Sequence, residues 1–220
     1  VREWSARATK QEYAVVFPDY FYGQINEAKQ QYGTFSIPST LAMELLEATC
    51  QEMGRNGFKR IIIVNGHGGN PQMIRYFIQN QLEKKRDYVV YFFDPKTPPE
   101  VAEQVNAMRK SPASTDMHGG ENETSSLLYL RPDVVRLERS NQESGDNQQG
   151  LDLSSDLYTA IWWYAAYPNH YAGQGAVATA ALGKILTDSK VASLVKAIKA
   201  VKEDTTSLRL QSEYFERVKQ

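Results

Sequence analysis

Cysteine, net charge and long apolar runs are all scarce in this sequence. Cys50 is the only cysteine among 220 residues, which excludes an intrachain disulfide and a zinc site built from several thiolates. The 25 basic and 26 acidic residues leave a net charge of −1, so composition gives no support to nucleic-acid or membrane-surface binding. No apolar stretch approaches the roughly 18 residues of a membrane-spanning helix. We therefore expect neither a nucleic-acid partner nor a membrane partner.

The length and composition are typical of one globular domain. A chain of 220 residues can bury one sizeable core, and its 41% hydrophobic and 23% charged residues are ordinary values. No repeat or linker divides the chain, so we predict a single domain over residues 1–220. The first four residues, VREW, are neither an initiator methionine nor a signal peptide, and we expect a chain truncated at its N-terminus. We expect a cytoplasmic location, unless the preceding segment carries a signal peptide.

Buried strands alternate with amphipathic helices along the chain. Apolar runs predict strands at residues 13–17, 59–64 and 88–93. Helices are predicted at residues 39–53, 71–82, 99–110, 123–130 and 175–202, with loops at 18–37 and 139–150. The alternation favours an α/β fold with a mostly parallel sheet, arranged as a three-layer α/β/α sandwich. Cys50 lies on the apolar side of its helix, where a buried and unreactive thiol is expected.

Two of the three histidines lie in glycine-rich loops, and the first of these loops follows a predicted strand. Its sequence is NGHGGN, residues 65–70, and ligands bind beyond the carboxyl ends of parallel strands. Three interpretations are open: a phosphate cradle, a structural glycine turn, and a metal-binding or catalytic His67. The third is favoured because the loop lacks a phosphate-loop pattern and a structural turn gains nothing from a histidine. Four other loop residues are candidate substrate contacts: Asn65, Gly68, Gly69 and Asn70. The two asparagines are also candidates for holding the loop in place.

The second loop has the sequence HGGENETS, residues 118–125, and runs into a predicted helix. Its two glutamates are either first-turn acids favoured by the helix dipole or functional groups. A carboxylate can bind a hard or borderline cation, and His118 can pass a proton to a leaving amine. We therefore interpret the two loops as halves of one metal-dependent active site. His118, Glu121 and Glu123 are its candidates here.

The third histidine, His170, and the Trp162-Trp163 pair carry weaker signals. A place for His170 at the same site is one interpretation, but a packed or solvated role is favoured. Adjacent tryptophans are more often core or subunit interface than a wall for substrate.

These two motifs, in this order and about fifty residues apart, resemble the creatininase (creatinine amidohydrolase) family. Its members carry Asn-Gly-His-Gly-Gly-Asn after a core strand and, further on, His-Ala/Gly-Gly-x-x-Glu-Thr-Ser. The segments at residues 17–23, 33–37 and 131–135 also look like the family's sequence, so the resemblance covers most of the chain.

The resemblance implies an α/β/α sandwich, a homo-oligomer that is often a hexamer, and two divalent metal ions (Zn, Mn or Fe) per subunit. It implies hydrolysis of a C–N amide bond in a small molecule by metal-activated water. By match to the motifs, His67 and Glu123 would ligate metal, and His118 would be the proton donor or the oxyanion stabiliser. Glu121 is a second catalytic candidate.

Several positions depart from the family pattern. The family's N-terminal Glu-x-His and the Asp after it, which supply three metal ligands, have no counterpart in this sequence. Gly69 stands where creatininase proper has a glutamate, and Ser114 stands where it has a tryptophan that stacks on substrate. A linear or cyclic amide other than creatinine is therefore the expected substrate. Two alternatives stay open: an inactive family member acting as a binding or assembly protein, and a nucleotide-binding flavodoxin-like module.

Overall fold

The computed structural model describes residues 1–218 and divides the chain into two compact units. The first contains residues 1–25, 35–95 and those from 191 onward, and the second contains residues 26–34 and 96–190. The helices and strands, in chain order, are α1 (Arg2–Thr9), α2 (Ser39–Arg55), β1 (Arg60–Val64), α3 (Asn70–Asn80), β2 (Val89–Phe93), α4 (Pro99–Met108), α5 (Glu121–Leu130), α6 (Trp162–Ala166), α7 (Ala180–Glu203) and α8 (Ser207–Val218).

A parallel pair of strands organises the first unit. Strands β1 and β2 pair in register from Arg60 opposite Val89 to Val64 opposite Phe93, which confirms both strand predictions. Side chains alternate between the two faces of a strand, so the four consecutive apolar residues of β1, residues 61–64, require cover on both sides. The chain supplies that cover on each face.

Each face of the sheet has its own apolar cluster. On one face, side chains of α2 and α3 pack against the strands: Leu46, Cys50, Ile61, Phe77, Tyr88 and Val90. On the other, α1 and the C-terminal part of α7 contribute, with strand residues Ile62 and Val64 packed against them: Ala8, Val191, Leu194 and Ile198. Helix, sheet and helix layers therefore follow from the uninterrupted apolar run at residues 61–64 of β1.

Cys50 is a buried thiol, as predicted. It is 1% exposed within the cluster on α2, and burial, together with the nearby charge of Glu47, raises the pKa of its thiol to about 12. The thiolate is the reactive form, so this cysteine is chemically inert near neutral pH.

The predicted strand at residues 13–17 was wrong. The segment has no regular secondary structure, and its large side chains are exposed, with Tyr13 at 77% and Val15 at 64%. A strand exists only when neighbouring backbone accepts and donates its hydrogen bonds, and among residues 1–218 no β-ladder includes this segment. Apolar composition alone was therefore a misleading signal.

The second unit is built from helices and long loops. One apolar cluster joins α4 to the first part of α7 through Val105, Leu182 and Leu186, and another surrounds Trp163. The predicted helix at residues 99–110 is confirmed as α4, and α5 begins two residues earlier than predicted. The predicted helix at 175–202 starts as a 3-10 turn over Gly175–Val177 before α7. Helices α1, α6 and α8 were not predicted. No described helix is both long and apolar enough to cross a membrane.

Candidate active site

The first glycine loop begins where β1 ends and is held by the side chain of Asn65. This residue is 8% exposed, and its backbone N–H continues the strand pairing by donating to the Phe93 carbonyl at 2.9 Å. Its Nδ2 donates to Asp94 Oδ1 at 2.8 Å, and its Oδ1 accepts the His67 N–H at 3.2 Å. Both polar atoms of the Asn65 side chain therefore form hydrogen bonds that hold the loop.

Asn70 continues the same network at the start of α3. Its Nδ2 lies 3.4 Å from Asn65 Oδ1, and its Oδ1 accepts the backbone N–H of Gln24 at 3.0 Å. This chain segment approaches closely at Gly23: a Cβ there would lie 2.6 Å from Asn70 Oδ1, so a larger residue would displace the Asn70 side chain. Of the two roles predicted for the asparagines, the structure shows loop-holding contacts, and substrate contact stays a prediction.

His67 and its two following glycines form the outer part of this loop. The imidazole is half-buried, while Gly68 is exposed and a Cβ added there would meet no atom within 4 Å. The His67 carbonyl accepts the N–H of Asn70 at 3.2 Å, which turns the chain into α3. The structure therefore places His67 beyond the carboxyl end of β1, as predicted.

Asp94 belongs to this site, and sequence reasoning missed it. It follows Phe93 as Asn65 follows Val64, and these two strand ends lie opposite each other in the parallel pair. The register of β1 and β2 was the signal that could have located it, because equivalent positions beyond paired parallel strands are neighbours.

The second glycine loop lies in the second unit, where backbone hydrogen bonds join it to Ala172. His118 and Ala172 exchange two backbone hydrogen bonds of 2.9 Å each. The crossing is tight: a Cβ at Gly120 would lie 2.1 Å from Asp116 Oδ1, and one at Gly145 would lie 2.0 Å from the Gly173 carbonyl oxygen. Glycine is therefore required for these segments to meet, and their meeting fixes the backbone of His118.

The side chains of His118 and Glu123 lie next to each other on this loop. The Gly119 N–H donates to Glu123 Oε2 at 2.7 Å, and the same oxygen lies 3.6 Å from His118 Nδ1. Both side chains reach solvent, at 37% exposure for His118 and 56% for Glu123. Burial lowers the pKa of Lys190 of α7, and the nearby charge of Glu123 opposes this shift only in part. An accessible imidazole beside an oriented carboxylate suits proton transfer.

Glu121 has a different environment from Glu123. It is 1% exposed, and its carboxylate accepts the backbone N–H groups of Lys110 and Ser111 and the Ser111 hydroxyl, at 2.7–3.1 Å. Burial by itself would raise the pKa of this carboxyl, but hydrogen bonds from Ser111 and Lys110 and the charge of Arg109 hold the pKa below its ordinary value. This is the geometry of a structural anchor for residues 110–111, and a catalytic role for Glu121 stays a prediction.

Replacing Glu121 with glutamine is expected to destabilise the fold by about 2–3 kcal/mol at neutral pH, because an amide NH2 would face buried N–H donors. A carboxylate whose pKa is lower in the folded state stabilises that state above the unfolded pKa, and the stabilisation is lost as the pH falls through the folded pKa. The wild type should therefore lose stability in acid, below the ordinary value of 4.5, more steeply than the variant. Urea unfolding at neutral and acid pH measures both effects.

Glu138→Gln is the matched control, since it makes the same chemical change at an exposed position. Equal unfolding free energies for Glu121→Gln and wild type across this pH range would contradict the anchoring role.

His170 lies against His118. Its ring centroid is 4.2 Å from that of His118, and its Nδ1 accepts the indole N–H of Trp163 at 2.7 Å. Of the packed or solvated role favoured for His170, the structure shows the packed one. Of the Trp162-Trp163 pair, Trp163 is in the core at 7% exposure and Trp162 is 36% exposed. Their contact with His118 was not predicted, because no local sequence pattern joins positions so far apart in the chain.

The described residues do not form a complete metal site. Among residues 1–218, no three His, Cys, Asp or Glu side chains are placed to hold one ion. His118 and Glu123 make a pair within the second unit, and His67 lies beside an asparagine network in the first.

Comparison with known proteins decides the family. The sequence model described as creatinine amidohydrolase matches residues 1–198. The chain belongs to the creatininase family. This creatininase-family chain is 34% identical over 125 residues to the mycofactocin precursor peptide peptidase of Mycolicibacterium smegmatis, covering 56% of the chain and 42% of that protein. It is 31% identical over 141 residues to the creatinine amidohydrolase of Pseudomonas putida, covering 57% and 53%. The chain thus spans about half the length of the curated relatives it matches.

Solved creatininases share the fold of this family member. A crystal structure of creatininase superposes with a TM-score of 0.75 at 21% identity, covering 93% of this chain and 82% of that one. A manganese form of creatininase gives a TM-score of 0.72 at 21% identity, covering 90% and 80%. The predicted α/β/α sandwich is confirmed by these likenesses and by the sheet with a cluster on each face.

Proposed function

We propose that this creatininase-family chain carries proton-transfer residues of an enzyme that hydrolyses an amide C–N bond. The observation that carries the proposal is the His118–Glu123 pair, in which the Gly119 N–H orients an exposed carboxylate 3.6 Å from an exposed imidazole. Membership of the creatininase family supports the reaction class.

The reaction needs two proton movements, and the pair offers a group for each. Water adds to the carbonyl carbon and loses a proton, the C–N bond breaks, and the leaving nitrogen gains a proton. Glu123 is the proposed acceptor of the first proton, and His118 is the proposed donor of the second. Because the two groups are neighbours, one proton can pass between them after each turnover.

The substrate class is proposed from the relatives and from the departures in this sequence. One relative is named a peptidase of a precursor peptide and another a creatinine amidohydrolase, so both peptide and small cyclic amides belong in a substrate screen. Gly69 and Ser114 replace residues of creatininase proper, which argues against creatinine itself. A homo-oligomer, with the family's hexamer as the first candidate, is part of the same proposal.

Divalent metal ions are the proposed cofactors, since a structural neighbour is a manganese form. His67 is the candidate ligand on the first loop, and Glu123 on the second loop is a candidate ligand as the alternative to its proposed role as proton acceptor. The test is elemental analysis of the full-length protein together with an amide-hydrolysis screen. About two ions per chain, as in two-metal hydrolases, with turnover lost on chelation, is the expected result.

Two other results would overturn the proposal. Full-length protein without metal and without turnover would indicate a binding or assembly protein. Stabilisation by a nucleotide that survives chelator, near 2.7 kcal/mol at about 100 times the dissociation constant, would indicate a nucleotide-binding module.

His67→Ala is expected to lower the metal content of the full-length protein by about one ion per chain while the unfolding temperature stays within a few degrees, because the loop lies at the surface. Gln72→Ala, an exposed position in α3, serves as the control and should keep the wild-type metal content. Unchanged metal content in His67→Ala would remove His67 from the ligand set.

A further inference from the structure

Three aromatic rings meet beside the proposed proton donor. The ring of His118 lies 4.2 Å from that of His170 and 6.3 Å from the Trp163 ring, which it meets nearly edge to face at 85°. Trp163 and His170 are themselves 5.5 Å apart and joined by a hydrogen bond. Neither Trp163 nor His170 has a part in the chemistry proposed above.

The hydrogen bond between Trp163 and His170 assigns the tautomer of the histidine. An indole N–H is a donor only, so His170 Nδ1 must be the acceptor, at 2.7 Å. A neutral imidazole carries one proton, which is then on Nε2. The orientation of the His170 ring is fixed by the same bond.

The backbone around His170 is fixed as well. His170 has a φ of +60°, a conformation that residues other than glycine rarely adopt. Its N–H donates to the Tyr167 carbonyl at 2.9 Å, and the neighbouring Asn169 donates to the Ser144 carbonyl at 2.9 Å. A strained residue that is held from several sides is a common feature of functional sites.

We propose that Trp163 and His170 are positioning residues for His118. The indole N–H fixes the ring of His170, and this ring limits the orientations of the His118 imidazole, whose backbone is already paired with Ala172. The remaining exposed part of His118 then faces solvent in one orientation, beside Glu123. The inference rests on the proposed role of His118 for its consequence in catalysis, but the ring geometry can be tested without any turnover.

The first test is nitrogen-15 NMR of the imidazole side chains in the full-length protein. Substituting each histidine of this chain in turn assigns its signals. The wild type should show His170 as a single tautomer with its proton on Nε2. Trp163→Phe keeps an aromatic ring but removes the N–H donor, so His170 should become a mixture of tautomers and the His118 signals should shift.

Trp162→Phe is the matched control for this change. Trp162 is the adjacent residue, and its indole N–H donates to the Tyr158 hydroxyl at 3.3 Å, whereas that of Trp163 donates to His170. The same substitution there should leave the tautomer of His170 unchanged. His170→Gln is the second variant, should Trp163→Phe fail to fold, and it should shift the same His118 signals.

The second test is kinetic and uses the same variants on an amide that the full-length protein hydrolyses. Trp163→Phe should lower kcat by about tenfold, the order of one hydrogen bond, with KM changed less than twofold. Trp162→Phe should change neither. The double variant Trp163→Phe with His170→Gln should be no slower than the slower single variant, because both changes break one linkage.

The outcomes separate the two proposals. An unchanged His170 tautomer and unchanged His118 signals in Trp163→Phe overturn the positioning role, whether or not the protein is an enzyme. Shifted signals in a protein that hydrolyses no amide support the positioning of His118 and overturn the proposed reaction. Shifted signals with an unchanged kcat overturn the catalytic consequence of the positioning.

Discussion

Replacement of His118 with alanine should lower kcat for amide hydrolysis by the full-length protein by about 10²–10⁴-fold, the usual contribution of a general acid or base. The reason is geometric. The His118 imidazole is exposed and adjoins Glu123, and two hydrogen bonds to Ala172 fix the backbone of His118. KM should change much less, because the lost interaction belongs to the transition state. Steady-state kinetics on the best amide of the screen gives both values.

Added imidazole provides a sharp control for this variant. The side chain is 37% exposed, so a small base can diffuse into the space that alanine leaves and restore part of the rate. Tyr76→Ala, an exposed aromatic residue on α3, should need no rescue and keep the wild-type kcat. A wild-type rate in His118→Ala would exclude proton transfer by this residue.

The second large effect concerns stability and comes from Gly183. Helix α7 contacts α5 at this glycine: a Cβ would lie 1.8 Å from the Ser125 carbonyl oxygen and 2.3 Å from its carbon. Ser125 is fully buried and its hydroxyl accepts the N–H of Thr179 at 2.9 Å, so the backbone cannot easily yield. We expect Gly183→Ala to lower the free energy of unfolding by about 3 kcal/mol, the upper end of the usual cost of overpacking.

The sign of this effect distinguishes packing from helix propensity. Alanine in a helix interior is normally more favourable than glycine by about 1 kcal/mol, so propensity alone predicts stabilisation. Gly68→Ala is the control, because a Cβ at that position meets no atom within 4 Å, and it should stay within about 0.5 kcal/mol of wild type. Urea unfolding measures both variants, and a Gly183→Ala protein as stable as wild type would contradict the described contact between α5 and α7.

The contrast between Glu121 and Glu123 shows what the sequence could not resolve. Both are acids in the first turn of one helix, and the same motif carries both. Residues two positions apart in a helix point to nearly opposite sides, so one can be buried while the other reaches solvent. Which of them is buried depends on the segment at Lys110 and Ser111, which is contributed by another part of the chain.

The asparagines of the first loop also have partners that the local sequence could not predict. Their presence beside glycines predicted a polar loop at the end of a strand, and the structure confirms the location. Their partners, Asp94 and the backbone of Gln24, come from distant segments, which the strand register and the close approach of Gly23 to Asn70 bring near.

The sequence by itself determined the local structure and the family. Runs of β-branched residues, glycines at the ends of elements and apolar periodicity located β1, β2, α2, α3 and α4. Each of these signals involves only residues that are close in the chain. The two motifs identified the family for the same reason, since each is a short contiguous segment. Tertiary structure alone decided that residues 13–17 form no strand, that Glu121 is buried, and that Trp163 and His170 adjoin His118. Each of these depends on a partner far away in the chain, and no pattern of neighbouring residues contains it.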